Sequence, residues 1–420
     1  MLPKAVVVHA GARDDYEVAK ALSEIQALER LVTNVYLPAA AINESDLLVR
    51  WNSVSLSAKA LLAYCAMRVR LRANLHAFSD TALGAKARAI AYRRGAAIFS
   101  YSHYASAAFA PGEKQPHLRF LFQFHPHARA VRQLLTEERE RVPQAAFSLS
   151  REGELALPRD KIEALEQEAH LANGWVTASS YTASTLIEAG IDPEKIHIVP
   201  YGVDDRIYPR RQTRPNIDEP FTVYFLGTLC QRKGLYDLLE AFTLLKTRSI
   251  RLLLRGRGMV DWRLLSGYRH LNVDVQVGLS TDKIVAELHR ADLFAMPSLV
   301  EGFGHSILQA MSCGIPVVTT RNTCGADLIQ PGNSGFLVPI RDPEAIAAVI
   351  EEACSMRERL YDMGAVAADC ARTYTWARFR KNIQFAYTRM CADNAAVEVP
   401  LTHLGVPPLR SHGRGSSYVE

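Results

Sequence analysis

The stretch Ala291–Val318, ADLFAMPSLVEGFGHSILQAMSCGIPVV, decides how the rest of the chain is read. Leu293-Phe294-Ala295-Met296 is an apolar run ended by Pro297, and Glu301-Gly302-Phe303-Gly304 reads as a tight loop punctuated by glycine. His305 to Cys313 then places Ile307, Leu308 and Met311 at helical spacing, before Gly314 and Pro316 stop the helix and Val317-Val318 open another strand. Where a strand runs through a glycine loop into a helix, unpaired backbone N–H groups and the positive end of the helix dipole point outward together. Such an end binds anions, and phosphate is the obvious guest.

Working outward, the same strand–loop–helix alternation recurs. Ala5-Val6-Val7-Val8 precedes a turn at Gly11, with a helical pattern expected from Tyr16 to Leu31. Strands are expected over 96–101 and 120–124, the latter running into His125-Pro126-His127, and 144–168 has a charged, helical pattern. A histidine at the C-terminal end of a parallel strand lies on the sheet edge where ligands bind in open α/β folds. Trp175 to Ser180 reads as a strand ending in small polar residues, and 195–204 closes the first half. After a polar stretch, Phe221 to Gly227 opens a second series, with Gln231-Arg232-Lys233-Gly234 and a helix through Leu245 behind it. Ile250 to Leu254 is expected as a strand turning at Arg255-Gly256-Arg257-Gly258, with another strand over 273–278 and a helix over 281–289. The pattern implies an α/β protein with two Rossmann-like, doubly wound domains. Their expected bounds are 1–204 and 221–375, joined by a linker over 205–220, with a C-terminal helix over 376–392 and a disordered tail over 393–420.

Composition fits two domains at roughly 150 residues each. The 420 residues are 48% hydrophobic and 22% charged, with a net charge of +5. This mild positive balance allows anionic ligands without calling for nucleic acid. Seven cysteines are scattered without a C-x-x-C pair, which suggests neither a zinc cluster nor a disulfide framework and fits a cytoplasmic setting. No apolar run approaches the roughly 18 residues of a membrane span. Residues 59–94 carry Lys59, Arg68, Arg70, Arg72, Lys86, Arg88, Arg93 and Arg94 against Asp80, interleaved with Leu61, Leu62, Tyr64, Met67 and Leu75. Two readings stand: peripheral association with an anionic membrane surface, or the solvated face of a domain helix.

The E-G-F-G loop resembles the motif of the retaining GT-B glycosyltransferases of family GT4, in which a second acid follows the first after seven residues. Here the first acid is Glu301 and the second position holds Gln309. The run K-I-H-I-V-P-Y-G-V-D over 195–204 resembles that family's end of the first domain, and R-K-G at 232–234 resembles its diphosphate-binding turn. The resemblance implies a GT-B fold, two Rossmann-like domains facing across a cleft. It implies that Glu301 faces the donor sugar, that Arg232, Lys233 and the amides around Phe303, Gly304, His305 and Ser306 meet the diphosphate, and that Gln309 faces the ribose. It further assigns His125 to the donor sugar, Gly11 and Gly227 to the donor-facing loops, and Leu279 to the nucleotide base. Thr228 stands where the family often has an arginine.

The function so implied is a retaining transfer of a hexose from a nucleotide-sugar donor to a glycan or lipid-linked acceptor in cell-surface polysaccharide or glycoconjugate synthesis. No D-x-D motif suited to a magnesium diphosphate is seen, so neither metal nor cofactor is expected. The alternatives are a catalytically inactive nucleotide-sugar-binding relative, suggested by Gln309, Thr228 and the single Gly11, and a GT-B epimerase that converts a UDP-sugar without an acceptor. Gln309→Glu separates enzyme from relic: steady-state kinetics on the variant should show a modest change in donor KM if the protein is a transferase, and no turnover before or after substitution if it is not.

Overall fold

Strands whose residues are all apolar form where both faces of a sheet are covered, and that is how these runs are used. In a computed structural model, which describes residues 2–11, 13–33, 69–112, 116, 118–214, 216–247 and 249–395, the chain makes two six-stranded parallel sheets flanked by helices. The first contains β1 (Ala5–Val8), β2 (Leu28–Val32), β3 (Ala97–Tyr101), β4 (Arg119–Gln123), β5 (Gly174–Thr177) and β6 (Ile196–Ile198), in the order β2-β1-β3-β4-β5-β6. The second contains β7 (Phe221–Leu229), β8 (Ile250–Val260), β9 (Val273–Val277), β10 (Leu293–Met296), β11 (Val317–Thr320) and β12 (Gly335–Val338), in the order β12-β11-β10-β7-β8-β9. Every residue of β1, β3, β5, β10 and β11 is buried.

Both orders reverse direction at one place, between β1 and β3 in the first sheet and between β7 and β10 in the second. In an open parallel sheet, connections leave such a switch point on opposite faces and a crevice opens beyond the strand ends. The loops beyond β7 and β10 are the R-K-G turn and the E-G-F-G loop.

Several local expectations change. The helix expected over 16–31 is only Glu17–Glu24, because Ile25 to Ala27 turn the chain back into β2. The segment 144–168 is broken into the short helices Ala146–Leu149 and Gly153–Ala156 and a longer one, Arg159–Glu168, with Pro143, Gly153 and Pro158 at the breaks. Arg255-Gly256-Arg257-Gly258 is no turn: β8 runs on through it to Val260, and Gly256 pairs with Gly227 and Val277. The helix Trp376–Ala395 ends beyond the expected residue 392.

That last helix leaves the second lobe to pack on the first. Arg380 pairs with Glu17 at 2.6 Å, Gln384 Nε2 donates to the Ala21 carbonyl at 3.1 Å and the Tyr387 hydroxyl donates to the Pro3 carbonyl at 2.6 Å. The helix Val69–Arg94 buries Leu83, Ala87, Ile90 and Ala91 in the first lobe and leaves Tyr92, Arg93 and Arg94 exposed, so from residue 80 onward it is a domain helix with a basic outer face. Residues 59–68 and 396–420, and the side chains of 69–79, lie outside what is described. No described helix is long and apolar enough to cross a membrane.

The lobes meet closely at the E-G-F-G loop. The Gly302 carbonyl accepts from Ser179 Oγ at 2.7 Å and Thr182 Oγ1 at 3.0 Å, and a Cβ on Gly302 would overlap the Phe124 carbonyl. Gly302→Ala should therefore lower unfolding stability by about 1–3 kcal/mol in urea titration, whereas Gly153→Ala, which has open space around it, should change it little.

Candidate active site

The second-lobe wall of the crevice is built from its switch point. After β7, Gln231–Lys233 makes one 3₁₀ turn, and Gly234 adopts φ 74° before the helix Leu235–Leu244. Its α-hydrogen side packs so tightly on the Pro297 carbonyl that a Cβ would overlap it, which joins the R-K-G turn to the loop after β10. The Leu299 amide donates to the Arg232 carbonyl at 3.0 Å and the Glu301 amide to the Asn322 carbonyl at 3.0 Å. Gly304 then caps the helix His305–Ser312 at φ 94°, with no side chain closing its first turn. Ile307, Leu308, Ala310 and Met311 turn into the core, while His305, Ser306 and Gln309 stay half-buried along the crevice.

Arg232 lies at the centre. Its Nη1 is 3.2 Å from Glu301 Oε2 and donates to the Val300 carbonyl at 3.2 Å, while its Nε donates to Glu152 Oε2 at 2.9 Å. Lys233 Nζ contacts the same Glu301 oxygen. Burial, and then the Arg232 guanidinium, depress the Lys233 ammonium to about 7, with Cys230 and Glu152 working in the opposite direction. Glu152 comes from the first lobe, so this ion cluster straddles the cleft.

The first-lobe wall follows β1 and β4. His125, just past β4, has Nδ1 3.6 Å from Glu154 Oε1, and its carbonyl accepts from Gln123 Nε2 at 2.7 Å. Burial first, then Arg232, Lys233 and Arg13, push its imidazole down to about 3, so it is neutral at physiological pH. After β1, Asp14, Asp15 and Tyr16 have φ of 48°, 46° and 64°, a left-handed run of non-glycine residues that the packing must hold in place. Asp14 Oδ2 accepts from the Tyr101 hydroxyl at 3.1 Å, and burial raises its carboxyl to about 6. Arg13 lies over the Phe124 ring at 4.0 Å. Tyr201 bridges the lobes, its ring 4.6 Å from that of His305 and stacked on Phe379 at 5.5 Å.

These groups enclose a crevice of about 430 Å³. Of the residues singled out from sequence, it is lined by His125, Gly227, Arg232, Lys233 and Glu301, and by Phe303, Gly304, His305, Ser306 and Gln309. Gly11 and Leu279 are not among its lining residues. Gly11 begins the loop of which Arg13 and Asp14 reach the crevice, and Leu279 lies past the edge strand β9, two strands from the switch point. Sequence reasoning missed Arg13, Asp14, Phe124, Tyr201 and Arg257, which line the crevice, and Glu152, which reaches in to Arg232. Arg257 was visible in the G-R-G run once that run is read as a strand end; nothing local marks Asp14 or Glu152.

Residues 209–369 match the model of the family described as glycosyl transferases group 1. The chain carries a glycosyl transferases group 1 domain. That domain is the second lobe, with the R-K-G turn and the E-G-F-G loop inside it. The chain is 31% identical over 187 residues to WcaL of Salmonella typhimurium, named as a colanic acid biosynthesis glycosyltransferase, covering 41% of this chain and 46% of that one. It is 28% identical over 177 residues to the amylovoran biosynthesis glycosyltransferase AmsK of Erwinia amylovora, covering 39% and 43%. The chain thus spans under half the length of these curated relatives. The Anabaena protein Alr3699/HepE, solved in complex with UDP and glucose, superposes with a TM-score of 0.61 over 92% of this chain and 100% of its own, at 14% identity. The GT-B fold is shared: two parallel doubly wound lobes across a crevice, with the group 1 domain forming the second.

His125 supplies a test that needs no substrate. Its folded pKa lies below its ordinary 6.5, so as pH falls from 6.5 towards 3 the unfolded chain takes up a proton that the folded chain refuses, and stability is lost; above 6.5 nothing is lost. Denaturant unfolding of His125→Gln and wild type from pH 7.5 to 4 should show the difference moving in the variant's favour by up to about 1.4 kcal/mol per unit below 6.5.

Proposed function

We propose that this protein is a retaining glycosyltransferase that moves a hexose from a nucleotide-sugar donor to a glycan or lipid-linked acceptor in polysaccharide synthesis, with side-chain cations and helix amides rather than a metal meeting the leaving charge. The observation that carries the reading is the grouping of Arg232, Lys233 and Glu301 at the uncapped start of the helix His305–Ser312, inside a crevice between two lobes. Membership of the second lobe in the group 1 family, and relatives named for colanic acid and amylovoran biosynthesis, support the same substrate class.

On this reading the diphosphate lies over the first amides of that helix, where the dipole and both cations stabilise the charge that grows as the bond to the anomeric carbon breaks. The hexose extends towards Glu301 and His125. Glu301 stabilises positive charge developing on the ring. His125, neutral, offers a hydrogen bond without adding charge. The acceptor enters along the first-lobe wall near Arg13 and Asp14. Its hydroxyl proton passes to a diphosphate oxygen on the face from which the leaving group departs, and the new carbon–oxygen bond forms on that same face, which retains configuration. Gln309 reaches the ribose as a neutral hydrogen-bonding group.

The test is a panel of UDP- and GDP-linked hexoses, with nucleoside diphosphate release measured with and without glycan acceptors. Acceptor-dependent release is expected. Glu301→Gln should lower kcat by about 10²–10³-fold while nucleoside diphosphate binding and the folded-state circular dichroism persist. Release-free conversion of the donor alone, or wild-type turnover by the variant, would sink the reading.

A further inference from the structure

The two cations assigned to the donor diphosphate are already matched. Arg232 sits between a carboxylate of its own lobe, Glu301, and one from the other lobe, Glu152. Lys233 shares Glu301. Two positive charges face two negative ones, so the cluster of Arg232, Lys233, Glu301 and Glu152 carries no net formal charge of its own. A diphosphate brought to it would gain from the helix amides, but it gains the full attraction of Arg232 only once a carboxylate has left that guanidinium.

The two acids are not equivalent in this respect. Glu301 belongs to the loop that builds the phosphate-facing wall, its amide tied to Asn322, so it moves with Arg232 and Lys233. Glu152 stands immediately before the short helix Gly153–Ala156 of the first lobe and reaches across the cleft. Its Oε2 holds Arg232 Nε at 2.9 Å and its Oε1 accepts from Cys230 Sγ at 3.6 Å, with both side chains of the ion pair about 15% exposed, at 16% and 14%. It can leave by displacement of its own arm. That arm also carries Glu154, the acid facing His125, so moving it changes both ends of the crevice.

Resting on the donor-site reading above, we propose that Glu152 is a positioning residue for Arg232: it stands in for a phosphate oxygen in the empty protein, yields the guanidinium to the donor diphosphate, and takes it back as the nucleoside diphosphate leaves. The arm thereby holds Arg232 in its binding geometry while the crevice is empty. It also weakens retention of the product, since the departing anion competes with an internal carboxylate of fixed position.

Isothermal calorimetry with inorganic pyrophosphate, UDP and GDP on the full chain tests this without knowing the sugar. Glu152→Gln should bind pyrophosphate about tenfold more tightly than wild type at low salt, with the gap narrowing as salt rises, while Glu152→Asp stays near wild type. Under turnover, Glu152→Gln should show lower donor KM and stronger inhibition by nucleoside diphosphate, a split that a purely structural role would not produce. Equal or weaker pyrophosphate binding by a folded Glu152→Gln overturns the proposal. So does a wild-type crystal structure with UDP or GDP bound in which Glu152 remains on Arg232, a result independent of how the variant folds. If none of the three probes binds either protein, the donor-site reading itself falls, and this inference with it.

Discussion

Two cations buried at the boundary between two lobes constrain everything around them. Taking a guanidinium and an ammonium out of water costs several kcal/mol each unless opposite charge and hydrogen bonds replace the hydration shell. Arg232 and Lys233 meet that demand with Glu301, the Val300 carbonyl and Glu152. The loop carrying Glu301 must lie against the R-K-G turn, which is why Gly234 packs on Pro297 without a Cβ between them. The same demand draws an acid from the first lobe across the cleft, so electrostatic balance and lobe apposition are one requirement.

A second set of ionic contacts pins the lobes away from the crevice. Glu138 is fully buried and accepts from Arg141 at 2.7 Å, Gln231 at 2.6 Å and Arg341 at 2.8 Å. Arg141, on a first-lobe helix, also reaches Asp237 of the second lobe at 2.6 Å. Gln231 thus joins this cluster to the turn that presents Arg232, so a shift of one lobe is felt at the site through adjacent residues. Around this frame the first-lobe wall stores strain: Asp14 to Tyr16 are held left-handed, and His9 is fully buried beneath them, where burial and then Arg13 push its imidazole down to about 4. Such costs persist where the surrounding packing over-determines them, which is common beside ligand sites.

Local signals read well where local physics decides. The apolar runs at 5–8, 293–296 and 317–318 could be strands because they are continuous and short, and Gly304 marked a helix start because only a flexible residue enters a helix at φ 94°. They read poorly where the outcome rests on competition between segments. Residues 28–32 have a helical pattern in isolation, yet the edge of β1 offers unpaired backbone groups, and pairing there outweighs one more helical turn. Arg255 to Gly258 resemble a turn by composition, yet strands on both sides extend the ladder as far as Gly256, and β7 takes up the pairing again at Val260 after a shift of register.

The amino-acid sequence by itself determined the parallel α/β character, the two series of strands, and the second-lobe half of the site, since Arg232, Lys233, Glu301 and the residues after Gly304 sit in short motifs whose geometry is set within a few residues. Only the tertiary structure decided the first-lobe half. Asp14 reaches the crevice because its loop is forced left-handed, and Glu152 reaches Arg232 across 80 residues of chain because the lobes bring them together. Chain-local propensity carries no record of which charges will be desolvated side by side; that follows from how two separately wound sheets present their switch points to each other.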